Sequence, residues 1–172
     1  MKKIFIVAVV MFTAFSTAWA QRYAIIDTRY ILDKMADYKL AQGQLDQTAN
    51  TWQKEIDALQ TELTKMYRDF ETEQVMLTPE LKKKREDELF NKEKIVRDLQ
   101  RKRFGFEGDL FSERQKLIKP IQDKVYTAIQ KLAVARSYDF ILDKSEGITV
   151  IFADPKLDKS EDVLRELGVK PN

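Results

Sequence analysis

The side chains behind most enzyme chemistry are missing from this 172-residue chain, which contains no Cys and no His. Their absence excludes thiol nucleophiles, disulfides, imidazole bases, thiolate or imidazole metal sites and any Ser-His-Asp triad. Carboxylates remain, and Asp27 and Asp143, each at the end of a strand candidate, are the only pair worth testing as acid and base. The others sit among Lys and Arg on helical faces, with no apolar pocket to raise a pKa. No Gly-rich phosphate loop, GxSxG elbow or metal-ligand cluster appears. Neither an enzyme nor a cofactor nor a metal site is expected. The chemistry left to this sequence is that of surfaces.

Charge is the first such surface. Lys plus Arg number 30 against 28 Asp plus Glu, and Lys2 and Lys3 lie in a candidate leader whose removal leaves no net charge. The balance is uneven along the chain. Residues 80–103 hold ten cations against six anions, with Lys82, Lys83, Lys84, Arg85 and Lys102 among them, whereas residues 139–172 hold five cations against eight anions. A charge run on a helix is ordinarily a solvated face, but this one could also attract acidic clients or anionic lipid headgroups, with a salt-sensitive affinity. Net neutrality and export disfavour nucleic acid.

Apolar area is the second surface. On a helical wheel with Leu99 as zero, Phe106, Leu110 and Leu117 fall within about 20°, whereas Phe104, Phe111 and Ile118 fall at roughly 140°, 120° and 100°. Phe104, Phe111 and Ile118 thus form a second stripe, with Phe90 two heptads before it. The stripe either packs on the first helix or a neighbouring subunit, or stays open to apolar segments of another protein.

These surfaces require long helices. Positions Leu45, Ala49, Trp52, Ile56, Leu59, Leu63, Met66 and Phe70 alternate steps of 4 and 3, an unbroken heptad seam. Thr78-Pro79 then supplies a helix cap and a first-turn Pro, so one helix ends and another starts there. In the second helix an 11-residue beat (Leu99, Leu110, Ile121, Leu132, with Ile95, Phe106, Leu117 and Ala128 four residues earlier) predicts one rod to about Arg136. The two helices make an antiparallel hairpin arm whose longer limb is on the order of 80 Å at 1.5 Å per residue. Gly43, Gly105, Gly108 and Pro120 are candidate hinges. Folding back at Pro79 sets Pro120 against residue 38 and Gly105 beside Trp52, so Pro120 is expected to kink the arm where it meets its base.

The ends of the chain read differently. Tyr23-Ala-Ile-Ile-Asp27 is a strand candidate, with Thr28 as cap of a first helix that Gly43 weakens. Phe140–Asp143 and Gly147–Phe152 read as two strands of a hairpin, Asp154-Pro155 as a stop, and Ser160–Gly168 as a short helix closed by Gly. Such strands bury too little to stand alone, so association with further copies should complete a shared sheet or barrel. The expected fold is α+β: a coiled-coil hairpin over residues 44–136, turning at 77–80, projects from a β-rich base made of 21–43 and 137–172.

Ahead of all this, Lys2-Lys3, a 12-residue apolar run from Ile4 to Phe15 and Ala18-Trp19-Ala20 read as a secretory signal cleaved after Ala20. The run falls short of the roughly 20 residues that span a bilayer. A periplasmic location follows.

Taken in order, the signal peptide, Tyr23–Asp27, the charged hairpin turning at Leu77-Thr-Pro-Glu80, the Tyr138–Asp143 strand, the Val150–Phe152 strand and the helix ending at Leu167-Gly168 resemble the Skp (OmpH-like) periplasmic chaperone family. The resemblance covers about 150 residues, and the order of the features carries it. It implies a trimer with a β-rich hub and three α-hairpin tentacles around a cavity that holds unfolded outer-membrane proteins without ATP. Better-known members are strongly basic, and this chain without its leader is neutral, which gives the apolar stripe more weight. The client-binding candidates are then Phe104, Phe111 and Ile118, with Lys82, Lys83, Lys84, Arg85 and Lys102 in support. The alternative is a structural or adaptor protein of the envelope that grips a folded partner through its tip, Val75 to Leu77.

Overall fold

The computed structural model describes residues 21–145, 147 and 150–170. In chain order they form β1 (Tyr23–Ile26), α1 (Thr28–Lys34), α2 (Ala36–Glu73), α3 (Pro79–Phe104), α4 (Asp109–Arg136), β2 (Phe140–Asp143), a 3₁₀ turn (Pro155–Leu157) and α5 (Ser160–Glu166). The class is α+β, dominated by long helices with a two-stranded sheet. The expected leader lies outside the described residues.

β1 is short and almost wholly apolar, and Ala24, Ile25 and Ile26 are buried. It pairs with β2 in parallel, from Tyr23 opposite Phe140 to Ile26 opposite Asp143. On its other side the Lys159 N–H donates to the Ile25 carbonyl at 2.8 Å. The expected hairpin of residues 140–143 with 147–152 falls in part outside the described residues. Ile148 and Thr149 lie outside the described residues, and residues 150–152 are irregular, with Ile151 and Phe152 exposed.

α1 is capped by Asp27, whose carboxylate accepts the Tyr30 N–H at 2.9 Å. The expected cap, Thr28, instead turns its hydroxyl to Asp143. The helix stops at Met35, where an extended backbone (ψ 123°) resets the direction, and α2 then runs 38 residues straight through Gly43. Gly43, expected to weaken the helix, lies inside α2, and a single Gly inside a helix costs only about 1 kcal/mol.

α2 ends in a turn at residues 74–78, after which the Thr78 hydroxyl caps α3 and Pro79 occupies its first turn, as the sequence predicts. α3 and then α4 return along α2. The cross-arm ion pairs Glu73–Arg85, Glu62–Lys92, Glu55–Arg103 and Asp37–Lys124 are each centred within about two positions of Pro79. Every residue of the Leu45–Phe70 seam is buried or half-buried.

The core is divided in two. An arm cluster joins Ile56 and Leu63 of α2 to Leu89 and Val96 of α3. A base cluster joins Ile26, Ile31, Met35 and Ala41 to α4 residues Ile118, Ile121, Val125, Ala128 and Leu132 and to Val163 and Leu164 of α5. α5 ends at Gly168 (φ 73°), where the Val169 N–H reaches back to the Leu164 carbonyl. That left-handed conformation suits Gly and closes the helix as predicted.

Polar side chains fasten the base around β1. The Asp143 carboxylate accepts the Thr28 hydroxyl at 2.5 Å and the Ser145 N–H at 2.9 Å. The buried Ser160 hydroxyl accepts the Asp27 N–H at 2.9 Å and donates to Asp158 at 2.7 Å. Burial alone would push the Asp143 carboxyl up, but the bonds from Thr28 and Ser145 outweigh it and hold the group below its ordinary 3.8. Burial likewise opposes, and Lys144 and Ser160 overcome, in the lowered carboxyl of Asp158.

Two outcomes follow for stability. Ile31, with no exposed surface, should lose roughly 2–5 kcal/mol on substitution by Ala, read by denaturant unfolding. Because Asp143 and Asp158 release protons more readily folded than unfolded, their contribution is complete above 3.8 and lost as pH falls through the lowered folded values. The thermal midpoint should therefore lose this contribution only below about pH 4, and Asp143→Asn should blunt that fall.

Candidate functional site

The residues expected to contact a client do not form one stripe. Counted in heptads from Leu89 and Val96, the next seam positions would be Arg103, Leu110, Leu117 and Lys124. The buried heptad series on α4 is instead Ile118, Val125 and Leu132, one residue later, with Ile121 and Ala128 buried between them. The helix breaks between Phe104 and Asp109, and the break absorbs the extra residue. The single rod expected to reach Arg136 is thus two helices, and the 11-residue beat is two heptad segments with a one-residue offset.

That offset separates the expected stripe. Phe104 ends α3 and packs edge-on against Trp52, ring centres 6.5 Å apart. Ile118 is only 7 % exposed and belongs to the base core, so it is corrected from client surface to packing residue. Phe111 alone of the three stays open, at 47 %. Phe106, expected to face the seam, stands in the break and is 96 % exposed, and Ile95 is exposed where neighbouring Val96 is buried. Phe90 on α3 and Val75 and Met76 at the tip are also open. Only a knowledge of where the helix breaks could have moved Phe106 from the seam to the surface.

The break is built tightly. A Cβ on Gly105 would lie 2.3 Å from the Arg101 carbonyl oxygen, and one on Gly108 2.7 Å from that of Lys102. Glu107 between them adopts φ 52°, unusual for a residue with a side chain. Arg103 ties the parts together. Its guanidinium pairs with Asp109 across the break at 2.7 Å and with Glu55 of α2 at 3.6 Å, and lies 4.6 Å from the centre of the Trp52 ring. Arg103 went unremarked in the sequence except as one cation in a run. Its role depends on Trp52, 51 positions earlier. Pro120 lies within α4, which continues through it, between the base-core residues Ile118 and Ile121.

The cations divide as well. Arg85 is engaged by Glu73 and Glu88. Lys83, Lys84 and Lys102 are exposed, Lys82 is half-buried, and none of these four makes an ion pair with the described residues. Both carboxylates of the pair hold the base together: Asp27 caps α1 and Asp143 holds Thr28 and Ser145. Among the described residues no group of three metal-ligating side chains is assembled.

What the geometry defines is a helical-hairpin protein with a small α+β base and open apolar side chains along its arm. The family model described as "Outer membrane protein (OmpH-like)" matches residues 22–167, and the chain belongs to that family. No curated protein matches the sequence. Among solved structures, a candidate outer membrane chaperone (OmpH-like) from Caulobacter crescentus CB15 shares the fold, with a TM-score of 0.68 at 16% identity over 86% of this chain and 84% of that one.

Gly43 and Gly105 should respond in opposite directions to Ala. Gly43 has nothing within 4 Å of a Cβ and sits inside a helix, so Gly43→Ala should stabilise by about 0.5–1 kcal/mol. Gly105→Ala must displace backbone and should cost on the order of 1–3 kcal/mol, with a shift in Trp52 emission as Arg103 moves.

Proposed function

We propose that the chain is an ATP-independent holdase chaperone of the periplasm, exported by a cleaved signal, which shelters unfolded outer-membrane proteins from aggregation. The observation that carries this reading is the distribution of open apolar side chains along the arm, from Val75 and Met76 at the tip through Phe90 to Phe106 and Phe111 at the break. Spread over a rod, they suit many weak contacts with a mobile chain better than one tight contact with a folded ligand. Membership of the OmpH-like family supports the same reading.

In this proposal three copies join through their bases, where Ile151, Phe152 and Val134 are open, and the arms surround a shared hollow. Lys83, Lys84 and Lys102 add positive charge for acidic stretches of the client or for anionic lipid headgroups, and nucleic acid is not a partner. Release needs no nucleotide, because folding into the membrane is the thermodynamic sink. A second reading, an envelope adaptor, draws on the exposure of Val75 and Met76 at the tip, which could seat on one folded partner.

Light scattering separates the two. A denatured outer-membrane β-barrel diluted without ATP should stay clear at a stoichiometric amount of the assembled protein, and Phe106→Ser/Phe111→Ser should weaken that protection severalfold. No suppression by the unmodified protein overturns the holdase reading. Retention of one folded envelope protein that Val75→Ser/Met76→Ser abolishes, with no suppression of aggregation, favours the adaptor. Native mass gives the copy number.

A further inference from the structure

We infer that the groove between α1 and α4 receives one extended apolar segment of the client together with a carboxylate carried on it. This deepens the holdase reading and rests on it for the source of the segment.

Two hollows adjoin there and share Thr28, Leu32 and Gln122 in their walls. The first, about 300 Å³, is polar: Arg114, Tyr38, Gln42 and Gln122 line it above Ile118. The second, about 200 Å³, is apolar, walled by Leu32, Val125, Ile129 and the largely exposed Tyr126. A groove that is cationic and amide-rich at one end and apolar at the other fits a ligand with the same division.

The polar end selects a carboxylate. Among the described residues Arg114 makes no ion pair, and no Asp or Glu lines either hollow. The carboxylate of Asp143 lies close by, bound to Thr28 and Ser145. Arg29 also lines the polar hollow and has an interaction of its own. The Gln42 amide donates to Asp46 at 3.3 Å, so the planar guanidinium of Arg114, with Gln122 beside it, is the group that can take a carboxylate through paired N–H bonds.

The groove's length selects an extended chain. On α4 the two hollows are lined from Arg114 through Gln122 and Tyr126 to Ile129, with the buried Ile118 as floor. At 1.5 Å per residue the track from Arg114 to Ile129 is about 22 Å long, the length of a strand of roughly seven residues. The exposed Phe111 lies one helical turn before Arg114. A strand passing down this track places alternate side chains toward α4 and the others toward solvent.

Fluorescence anisotropy tests the inference with a labelled peptide of about nine residues, alternating apolar and polar, that carries one central Asp, and with its Asn counterpart. The intact protein should bind the Asp peptide about tenfold more tightly. Arg114→Gln should remove that preference and leave the affinity for the Asn peptide within about twofold. Tyr126→Ser should weaken both peptides severalfold at unchanged native mass. Equal binding of the two peptides, or a preference that survives Arg114→Gln, overturns the inference. So does a fall in native mass of Tyr126→Ser, which would assign the groove to contact between copies. The scattering assay keeps the two readings apart: suppression of aggregation with no Asp preference removes the groove alone, and an Asp preference without suppression removes the holdase reading and leaves the groove as a peptide site.

Discussion

Strand β1 is held on both sides by parts of the chain that are far away in sequence. The Arg22 N–H meets the Asp139 carboxylate 117 positions on, Ile25 lies opposite Leu142 on one side, and its carbonyl accepts the Lys159 N–H on the other. Closing so long a loop costs little more entropy than closing a moderate one, because the cost grows only with the logarithm of length. What would be expensive is a floppy insert with no contacts of its own. The hairpin avoids this, since its seam from Leu45 to Phe70 packs on α3 and α4 and delivers both ends to one place. Thr28 to Asp143, Asp27 to Ser160 and Tyr30 to Glu161 then lock the ends together with polar contacts that cross the closure. Base and arm are therefore one construction: the arm's stiffness brings β2 to β1, and the β1 grip fixes the direction in which the arm leaves.

A rod of two helices has little interior. One narrow apolar seam per helix is all that two rods can bury, so apolar side chains off the seam must face water or a third party. The cross-arm ion pairs on the exposed faces contribute little each and do not alter this geometry. Phe90, Phe106 and Phe111 are open because a hairpin cannot cover them, whereas Ile118 is covered because α1 and the first turns of α2 lie against that part of α4. The line between sheltered and open aromatics thus follows the number of helices present at each level of the molecule.

The features legible in the sequence are those fixed by local chemistry. Thr78-Pro79 marks a helix start by hydrogen bonding and a fixed φ, Gly168 a helix end by its left-handed backbone, and the 4-3 alternation from Leu45 to Phe70 a face by periodicity alone. The base was less legible. Thr28 and Asp27 are both good caps, and only the presence of Asp143, 115 positions from Thr28, decides which of them caps α1. The arm's second limb was misread because two heptad segments offset by one residue imitate an 11-residue period, which hides the break at Gly105–Gly108 and turns Phe106 inward. For the candidate site, the helical spacing put Phe111 on an open face, and Phe111, Lys83, Lys84 and Lys102 are exposed, while Ile118 is buried and Arg103 was overlooked. Both depend on what the partner helix brings opposite them.

The break bears on how such a surface can work. Glycines in a helix are often taken as loose points, but here both are required by backbone atoms closer than a methyl group would allow, and Arg103 spans the gap to Asp109 while resting on Trp52. Phe106 is consequently presented from a specified loop. A contact site that is ordered beforehand loses less entropy when it binds, and that matters most when each contact is weak and the ligand must lose some of its own freedom. An unfolded chain supplies the flexibility in such an encounter. In the holdase proposal, an arm that holds its aromatics at fixed separations, on a base that fixes the arm's direction, leaves the conformational adjustment to the guest, and clients of unrelated sequence can then share one surface.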